Sequence, residues 1–320
     1  MRFFYLGLFI VLGTSACKPP VEIVVFHAAS LRRAFADIAA EYERANPKVH
    51  VRLEPSGSQI AVRKVTESGM RADVVAVADA ELIEKMMIPQ HASWTLEFAT
   101  NELVLAHLQH SQFTDEITAQ HWPEILLRGG VRLGRVDPDT APLGYHTIFG
   151  WQLAERSGLY GAAGEGLTAK LLAAVPASQL AVDETELLSR LEAKAVDYAF
   201  LYRSTAEDHR LKMVVLPPEV NLGHRDLEAK YGAAELEVRM KQGGGKSVLR
   251  AHPITYGLTI PTGAPHAEEA EKLIAFLIGP RGQALQRAAG FSPLAPALSR
   301  SRGRLGATLR PLVEAPPDTP

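Results

Sequence analysis

The first part of the chain alternates short apolar runs with amphipathic stretches. The runs VEIVVF (21–26) and ADVVAVA (72–78) are apolar almost throughout, as in strands buried on both faces of a parallel sheet. The run VHVRLE (49–54) alternates apolar and polar residues instead. Apolar residues follow a helical spacing over residues 31–42, and a second helix is predicted from Ser58. This β-α-β-α-β-α order predicts a doubly wound sheet.

The rest of the chain contains a second α/β unit. NELVLAHL (101–108) predicts a strand leading into it, and segments 131–158 and 183–204 each combine a polar turn, a helix and strand-like residues. Residues 234–253 indicate a hairpin over the GGG turn, and ITYGLTIP (254–261) predicts another strand. We therefore expect an α/β fold of two lobes, whose doubly wound sheets are joined by crossing strands, with ligand at the carboxyl ends of the strands.

These patterns predict a division of the chain into successive parts. The parts are a lipoprotein-type signal peptide (1–17), a linker (18–20), lobe 1 (21–102 and 254–299), lobe 2 (103–212), a crossing segment and hairpin assigned to neither lobe (213–253), and a flexible C-terminal tail (300–320). The tail is predicted because its arginines stand among Ser, Gly and Pro residues, a composition typical of a solvated segment.

The N-terminus indicates export. Arg2 precedes an apolar run (3–12) that is too short to span a bilayer comfortably and is typical of a signal peptide. Cys17, the single cysteine, follows small residues as in a bacterial lipobox, although Thr14 stands where that pattern prefers Leu. A plain secretory signal is the alternative. We expect an exported protein, periplasmic or on the outer face of the cytoplasmic membrane, held there only by acyl chains on Cys17.

Composition and motifs exclude several classes of function. The 320 residues carry a net charge of −2, which gives no general attraction to nucleic acid or anionic membranes. The sequence has no G-x-S-x-G, Walker, H-E-x-x-H or dinucleotide motif, and one cysteine forms neither a redox pair nor a Cys-based metal site. His27 is expected to be a structural residue of the sheet. We predict a protein that is not an enzyme, has no cofactor and binds no nucleic acid.

Small residues with hydroxyl groups stand where helices are predicted to begin. Ser30 precedes the first helix, Ser58 begins the second in PSGSQ, and APLG (141–144) opens another with Pro142 suited to a first turn. A helix N-terminus offers unpaired N–H groups and partial positive charge, which suit an anion. The serines are equally consistent with ordinary N-caps of their own helices.

Several of these segments, taken in order, resemble periplasmic molybdate/tungstate-binding proteins of ABC importers, most closely the archaeal-type tungstate/molybdate-binding branch. The match consists of VVFHAASL, EPSGSQIAVRKVTESGMRADVVAVAD, DPDTAPLGY, DETELL, VDYAFLYRS, LPPEVNL and HPITYGLTIP, and covers about residues 21–297. The resemblance implies a type II periplasmic binding protein (venus flytrap) fold. It also implies a monomer that captures tungstate or molybdate and delivers the oxyanion to an ABC permease with its ATPase.

The resemblance further implies an oxyanion site built from both lobes. Its residues would be Ala29, Ser30 and Ser58 from lobe 1, and Ala141, Pro142, Leu143, Glu184 and Tyr202 from lobe 2. Glu184 has a second interpretation, because DETE (183–186) is also typical of a helix start with a capping box. A carboxylate beside a dianion is repelled unless it coordinates the Mo or W atom itself.

This chain departs from the archaeal-type pattern at Ala141, where the pattern has Asp, and mildly in HAAS for H-A-G-S. One of two proposed metal-ligating carboxylates is therefore missing. We expect hydrogen bonds from hydroxyl and backbone N–H groups to hold the anion, with Glu184 as at most one additional ligand or a protonated donor. The alternatives are a binder of sulfate or another tetrahedral oxyanion, an anion-sensing module without a transport role, and an enzyme with a Ser–His or Glu pair in the cleft.

Overall fold

The computed structural model describes residues 20–239 and 244–316 and contains a seven-stranded sheet, a four-stranded sheet and a two-stranded hairpin. The predicted signal peptide, Cys17 and most of the linker lie outside the described residues, as does the first glycine of the GGG turn. No helix in the described ranges is long and apolar enough to cross a membrane.

The strands and helices are numbered in chain order. The strands are β1 (Val21–Ala28), β2 (Val49–Ser56), β3 (Val74–Val77), β4 (Leu96–Thr100), β5 (Leu103–His107), β6 (Leu133–Gly134), β7 (Tyr198–Tyr202), β8 (Lys212–Val215), β9 (Glu235–Arg239), β10 (Lys246–Arg250), β11 (Thr255–Thr259), β12 (Ser292–Leu298) and β13 (Val313–Glu314). The helices are α1 (Arg32–Ala45), α2 (Ser58–Thr66), α3 (Glu81–Met86), α4 (Trp122–Leu126), α5 (Pro142–Ser157), α6 (Gly161–Gly164), α7 (Leu167–Ala174), α8 (Glu184–Glu192), α9 (Arg203–Asp208), α10 (Pro218–Asn221), α11 (Glu228–Tyr231), α12 (Ala267–Ile278) and α13 (Pro280–Ala288).

The seven-stranded sheet has the order β13-β12-β4-β11-β3-β1-β2, and we call this sheet and its helices the first lobe. Strand β1 is parallel to β2 and β3, which confirms the predicted β-α-β-α-β order. The register pairs Ala28 with Ser56, so β1 and β2 end side by side and the turns into the next helices are neighbours. Phe35, Ile38 and Tyr42 of α1 are buried, as their helical spacing predicts.

The four-stranded sheet has the order β6-β7-β5-β8, and we call it and its helices the second lobe. Strand β5 is antiparallel to β7 with Leu103 opposite Tyr202, which places the end of β7 where the chain enters this lobe. Strand β8 also pairs with β5, so this sheet extends to Val215, beyond the predicted boundary at residue 212. The other predicted boundaries remain predictions.

Two segments cross between the lobes. The first is Asn101–Glu102, between β4 and β5, and the second precedes β11, with the N–H of Asn101 donating to the carbonyl of Ile254 at 3.2 Å. The predicted hairpin is present as β9 and β10, in antiparallel pairing. Gln152 of α5 exchanges two hydrogen bonds with the backbone of Glu235, which holds the hairpin against the second lobe.

Residues 300–316 differ from the predicted flexible tail. Leu305, Leu309 and Val313 recur every fourth residue and are 0–1% exposed, and Val313 begins the edge strand β13 of the first lobe. Arg302 and Arg310 donate to backbone carbonyls within this segment instead of being fully solvated. The arginine, glycine and proline content concealed an apolar repeat that packs on the lobe.

Candidate functional site

A small pocket lies between the two lobes, where β1, β2 and β3 end and where α2, α5 and α8 begin. Its lining contains all of the residues that the resemblance implied, namely Ala29, Ser30, Ser58, Ala141, Pro142, Leu143, Glu184 and Tyr202. The remaining lining residues are Ala28, Gly57, Ala78 and Asp183. The space open to the centre of a water-sized sphere is only about 10 Å³. At this pocket the two lobes therefore lie close together.

Ser58 occupies the first position of α2, and its hydroxyl donates to no other group among the residues that the structure describes. Its side chain is 1% exposed, and the N-cap of α2 is Gly57, with no side-chain capping bond. The Oγ atom accepts a hydrogen bond from the N–H of Ala78 at 3.0 Å. Because an acceptor site of Ser58 is already occupied by a backbone donor, its own proton is left for a partner in the pocket. The N-cap interpretation of Ser58 is wrong.

Ser30 has the same kind of arrangement in the first lobe. It lies in a 3₁₀ turn, Ala29–Leu31, and makes no side-chain capping bond, so the N-cap interpretation is wrong here as well. Its Oγ lies 2.9 Å from the hydroxyl of Tyr256 on β11. Sequence reasoning did not identify Tyr256, which is 226 positions away in the chain.

The second lobe presents the amino end of α5. This helix begins at Pro142 as predicted, with Ala141 as an extended N-cap that has no side-chain capping bond. The first N–H groups of a helix lack partners within the helix and carry partial positive charge. Helices α2 and α8 also begin at this pocket. Three helix amino ends therefore favour a negatively charged occupant.

Glu184 is the first residue of α8 and is buried. The predicted N-cap is confirmed, because Asp183 accepts from the N–H of Glu186 at 3.0 Å; Glu186 reaches back to the N–H of Val182 at 2.7 Å, one residue before the N-cap position that a capping box uses. Glu184 takes no part in this cap. Its Oε1 accepts from the N–H of Tyr202 at 3.2 Å, while its Oε2 is buried with no partner in the described structure.

The environment of Glu184 favours its neutral form. Burial raises the pKa of this carboxyl from 4.5 to about 8, against smaller lowering effects of the backbone N–H of Tyr202 and the side chain of Thr205. With Oε1 accepting from a backbone N–H, the proton of the neutral carboxyl belongs on Oε2. Glu184, which lines the pocket, is thus able to donate one hydrogen bond at neutral pH.

Tyr202 ends β7, and its hydroxyl lies 2.9 Å from Nδ1 of His146 on α5. Burial raises the pKa of Tyr202 well above its usual value and lowers the pKa of His146 to about 3, so both groups are neutral. His146 was not predicted as a site residue. The available signal was its position one helical turn after Pro142 in APLGYH, on the same face of α5.

A buried ionic cluster joins the lobes behind the pocket. Asp79 accepts from the hydroxyl of Tyr145 at 2.5 Å and from the N–H of Glu81 at 2.9 Å, and its other neighbour is His252 at 3.3 Å. The Asp79 carboxylate raises the pKa of His252, and His252 in turn lowers that of Asp79. The bond from Tyr145 to Asp79 ties α5 to the first lobe.

The remaining candidate residues do not form a second site. His27 is fully buried, contacts the carbonyl of Ala28 at 2.8 Å and lies outside the pocket lining, as expected for a structural residue. Burial lowers the pKa of His27 to about 4. Across residues 20–239 and 244–316, no cluster of three or more His, Cys, Asp or Glu side chains is placed to hold a metal ion.

A cleft of about 440 Å³ adjoins the pocket and shares Ala29, Ser30 and Glu184 with it. The Arg33–Asp208 ion pair crosses this cleft between α1 and α9. The cleft is the wider part of the space between the lobes.

Two α/β lobes joined by crossing segments, with a small pocket between them, define a type II periplasmic binding protein. The chain belongs to the family described as bacterial extracellular solute-binding protein, whose sequence profile matches residues 23–292. This family consists of exported binding proteins and is not a class of enzymes.

Similar proteins support this assignment along most of the chain. An uncharacterized solute-binding protein of Petrotoga mobilis is 40% identical over 275 residues, covering 86% of this chain and 84% of the relative. The molybdate/tungstate-binding protein of Thermococcus kodakarensis is 34% identical over 294 residues, covering 85% of this chain and 82% of the relative.

Solved structures share the fold at low sequence identity. The periplasmic molybdate-binding protein of Azotobacter vinelandii has a TM-score of 0.59 at 17% identity, covering 84% of this chain and 98% of the other. The sulfate-binding protein SubI of Mycobacterium tuberculosis has a TM-score of 0.60 at 14% identity, covering 86% of this chain and 88% of the other.

Proposed function

We propose that this protein captures molybdate or tungstate outside the cytoplasm and delivers it to an ABC permease with its ATPase. The observation that carries the proposal is the pocket itself, in which three helix amino ends meet two serines whose hydroxyl oxygens each already accept a hydrogen bond from another residue. The molybdate/tungstate-binding relatives of Thermococcus kodakarensis and Pyrococcus abyssi support the choice of ligand.

Binding would proceed by closure of the lobes on a desolvated oxyanion. The pocket offers donors, namely the serine hydroxyls, the helix N–H groups and the protonated Glu184. A hydrogen bond to a charged acceptor is worth about twice a neutral one, so a fully deprotonated dianion gains from every donor. An anion that carries its own proton needs an acceptor for it, whereas the serine hydroxyls and helix N–H groups of this lining donate, so such an anion is disfavoured.

The way in which the metal of the oxyanion is held depends on Ala141. With alanine at this position, the carboxyl groups in the pocket lining are those of Glu184 and Asp183, and Asp183 is already engaged as the N-cap of α8. We propose a tetrahedral anion held mainly by hydrogen bonds from Ser30, Ser58, Tyr202 and backbone groups, with Glu184 as a donor or one additional ligand to Mo or W. The same alanine supports the second candidate, a binder of sulfate or another tetrahedral oxyanion.

The proposal includes the tether and the partners. Cys17 would carry acyl chains after removal of residues 1–16, and two or more chains give a stable anchor. The protein would act as a monomer at the outer face of the membrane, where a permease recognises the closed form. An anion-sensing role without transport uses the same pocket, and neighbouring permease and ATPase genes would favour transport.

The first prediction concerns ligand choice. In calorimetric competition with the purified protein, tungstate and molybdate are expected to bind more tightly than sulfate, and hydrogen phosphate is expected to bind least. A thermal shift with each anion is an independent measurement, because ligand at 100 times its Kd stabilises the folded state by about 2.7 kcal/mol. Tightest binding of sulfate, or no binding of any of these anions, contradicts the proposed ligand.

The second prediction concerns Ala141. Ala141→Asp is expected to raise the affinity for tungstate relative to sulfate by about tenfold, equivalent to about 1.4 kcal/mol. The added carboxylate would join Glu184 as a ligand to tungsten, whereas sulfur accepts no further ligand. Ala141→Asn is the control, since it has the same size without the charge. An unchanged or lower ratio of the two affinities in Ala141→Asp shows that Asp is not the missing ligand.

A further inference from the structure

A chain of hydrogen bonds runs from the first crossing segment to the pocket. Asn101, between β4 and β5, lies close enough to Tyr256 for its amide to act as a donor that lowers the pKa of the Tyr256 hydroxyl, against the larger raising effect of burial. That hydroxyl lies 2.9 Å from Oγ of Ser30, which lines the pocket. Tyr256 is fully buried and Asn101 is 7% exposed, and neither residue belongs to the pocket lining. Both residues therefore stand behind Ser30.

The surroundings of Asn101 determine which way its amide faces. Its Oδ1 accepts from the N–H of Glu102 at 3.0 Å, a backbone donor that cannot act as an acceptor. Its Nδ2 lies 2.7 Å from the hydroxyl oxygen of Ser204. An exchanged amide would set Nδ2 against the N–H of Glu102. The NH₂ group therefore faces Ser204 and Tyr256, with one proton for each.

The direction of the chain follows from these donors. An amide NH₂ donates only, so the oxygen of Tyr256 accepts from Asn101. The single proton of the Tyr256 hydroxyl is then free for one acceptor, and the atom within reach is Oγ of Ser30. Ser30 accepts this bond, and its own proton is left to point elsewhere. Because Ser30 lines the pocket, a ligand bound there can accept the proton of its hydroxyl.

We propose that Asn101 and Tyr256 are positioning residues that fix Ser30 as a hydrogen-bond donor to the bound anion. The inference rests on the proposed function, because it needs an anion in the pocket. A serine hydroxyl can present either its proton or a lone pair, and only the proton attracts an oxyanion. At Ser58 the N–H of Ala78 has the same effect, but no side-chain substitution removes a backbone donor. The chain to Ser30 is the one that mutation can test.

Tyr256→Phe is the first test, with tungstate as the probe in calorimetry. Removing the hydroxyl leaves the ring in place and frees Ser30 to rotate, so tungstate affinity is expected to fall about tenfold. In a Ser30→Ala background the same substitution is expected to have no further effect, a coupling that a purely structural role of Tyr256 would not produce. Tyr231→Phe is the matched control, because Tyr231 is also fully buried and donates to the carbonyl of Pro218, away from the site.

Asn101→Asp tests the direction of the chain. Aspartate has no N–H, so it would accept from Tyr256, and Ser30 would then donate to Tyr256 and present a lone pair to the pocket. Tungstate affinity is expected to fall more than in Tyr256→Phe. The affinity for hydrogen phosphate is expected to fall less than that for tungstate, because hydrogen phosphate carries a proton that the lone pair of Ser30 can accept. The ratio of tungstate affinity to hydrogen phosphate affinity should therefore decrease by at least about tenfold.

The outcomes separate this inference from the proposed function. If the wild-type protein binds none of the anions, the proposed function fails and this inference fails with it. If the wild type binds tungstate, two results overturn the positioning role alone. One is a Tyr256→Phe protein with the tungstate affinity of the wild type. The other is a loss of affinity from Tyr256→Phe that is equally large in the Ser30→Ala background. An unchanged tungstate to hydrogen phosphate ratio in Asn101→Asp overturns the assigned direction of the chain.

Discussion

Replacing Gly57 by alanine is expected to weaken anion binding by about 100-fold, because the added methyl group would hold the lobes apart. A Cβ at residue 57 would overlap the carbonyl oxygen of Thr140 and lie 3.2 Å from Cβ of Ala141, both in the second lobe. The nearer contact is with backbone at the start of α5, which cannot rotate away. Overpacking of this kind costs about 1–3 kcal/mol, and this loss falls on the closed form.

Closure and binding are measured together for this variant. Calorimetry with tungstate gives the affinity, and small-angle X-ray scattering with and without tungstate gives the change in radius of gyration. Gly129→Ala is the control, since a Cβ there would have no atom within 4 Å. A Gly57→Ala protein that contracts on tungstate as the wild type does, with the same affinity, shows that this contact does not limit closure.

Glu184→Gln is expected to stabilise the unliganded protein, and increasingly so as the pH rises to about 8. In the folded protein burial raises the pKa of Glu184 from 4.5 to about 8. Between these values the unfolded chain releases the proton while the folded protein keeps it, so the free energy of unfolding falls as the pH rises. At about 1.4 kcal/mol for each pH unit, the full effect is on the order of 4–5 kcal/mol. Glutamine does not titrate, so the free energy of unfolding of Glu184→Gln does not fall with pH for this reason.

Chemical denaturation at pH 5, 7 and 9 measures this difference without any ligand. The gap between Glu184→Gln and wild type should widen from pH 5 to pH 9, and Glu165→Gln, at an exposed carboxylate, should show no such trend. A gap that stays constant over this range would mean that Glu184 is ionised in the folded state. Its free Oε2 would then face the pocket as a carboxylate and repel an anion.

The alternation of apolar runs and helices was sufficient to predict the core of the first lobe. The runs that form β1 and β3 are apolar on both faces because the sheet is covered on both sides. Burial on both faces gives a continuous apolar run, which is visible in the sequence. The same reasoning failed for residues 300–316. There, Leu305, Leu309 and Val313 are separated by residues that include arginine, glycine and proline. The prediction of a flexible tail relied on that composition and overlooked the apolar repeat.

The pocket residues were predicted from helix-start motifs together with the family resemblance, whereas the residues that orient them were not predicted. Ser30, Ser58 and Glu184 stand in short recognisable segments at helix starts. Tyr256 lies 226 positions from the serine that it contacts, and no periodicity links the two. Gly57 matters because of a close approach between lobes, which is a property of the folded pair and not of the segment PSGSQ.

The two lobes also differ in how their strands follow one another along the chain. Strands β5 to β8 form one uninterrupted stretch, whereas the first lobe takes β1 to β4 from one end of the chain and β11 to β13 from the other. A chain that folds as it emerges from its N-terminus can therefore complete the second lobe while β3 still lacks its neighbour β11. We expect the first lobe, and with it the pocket, to be the last part of the protein to form.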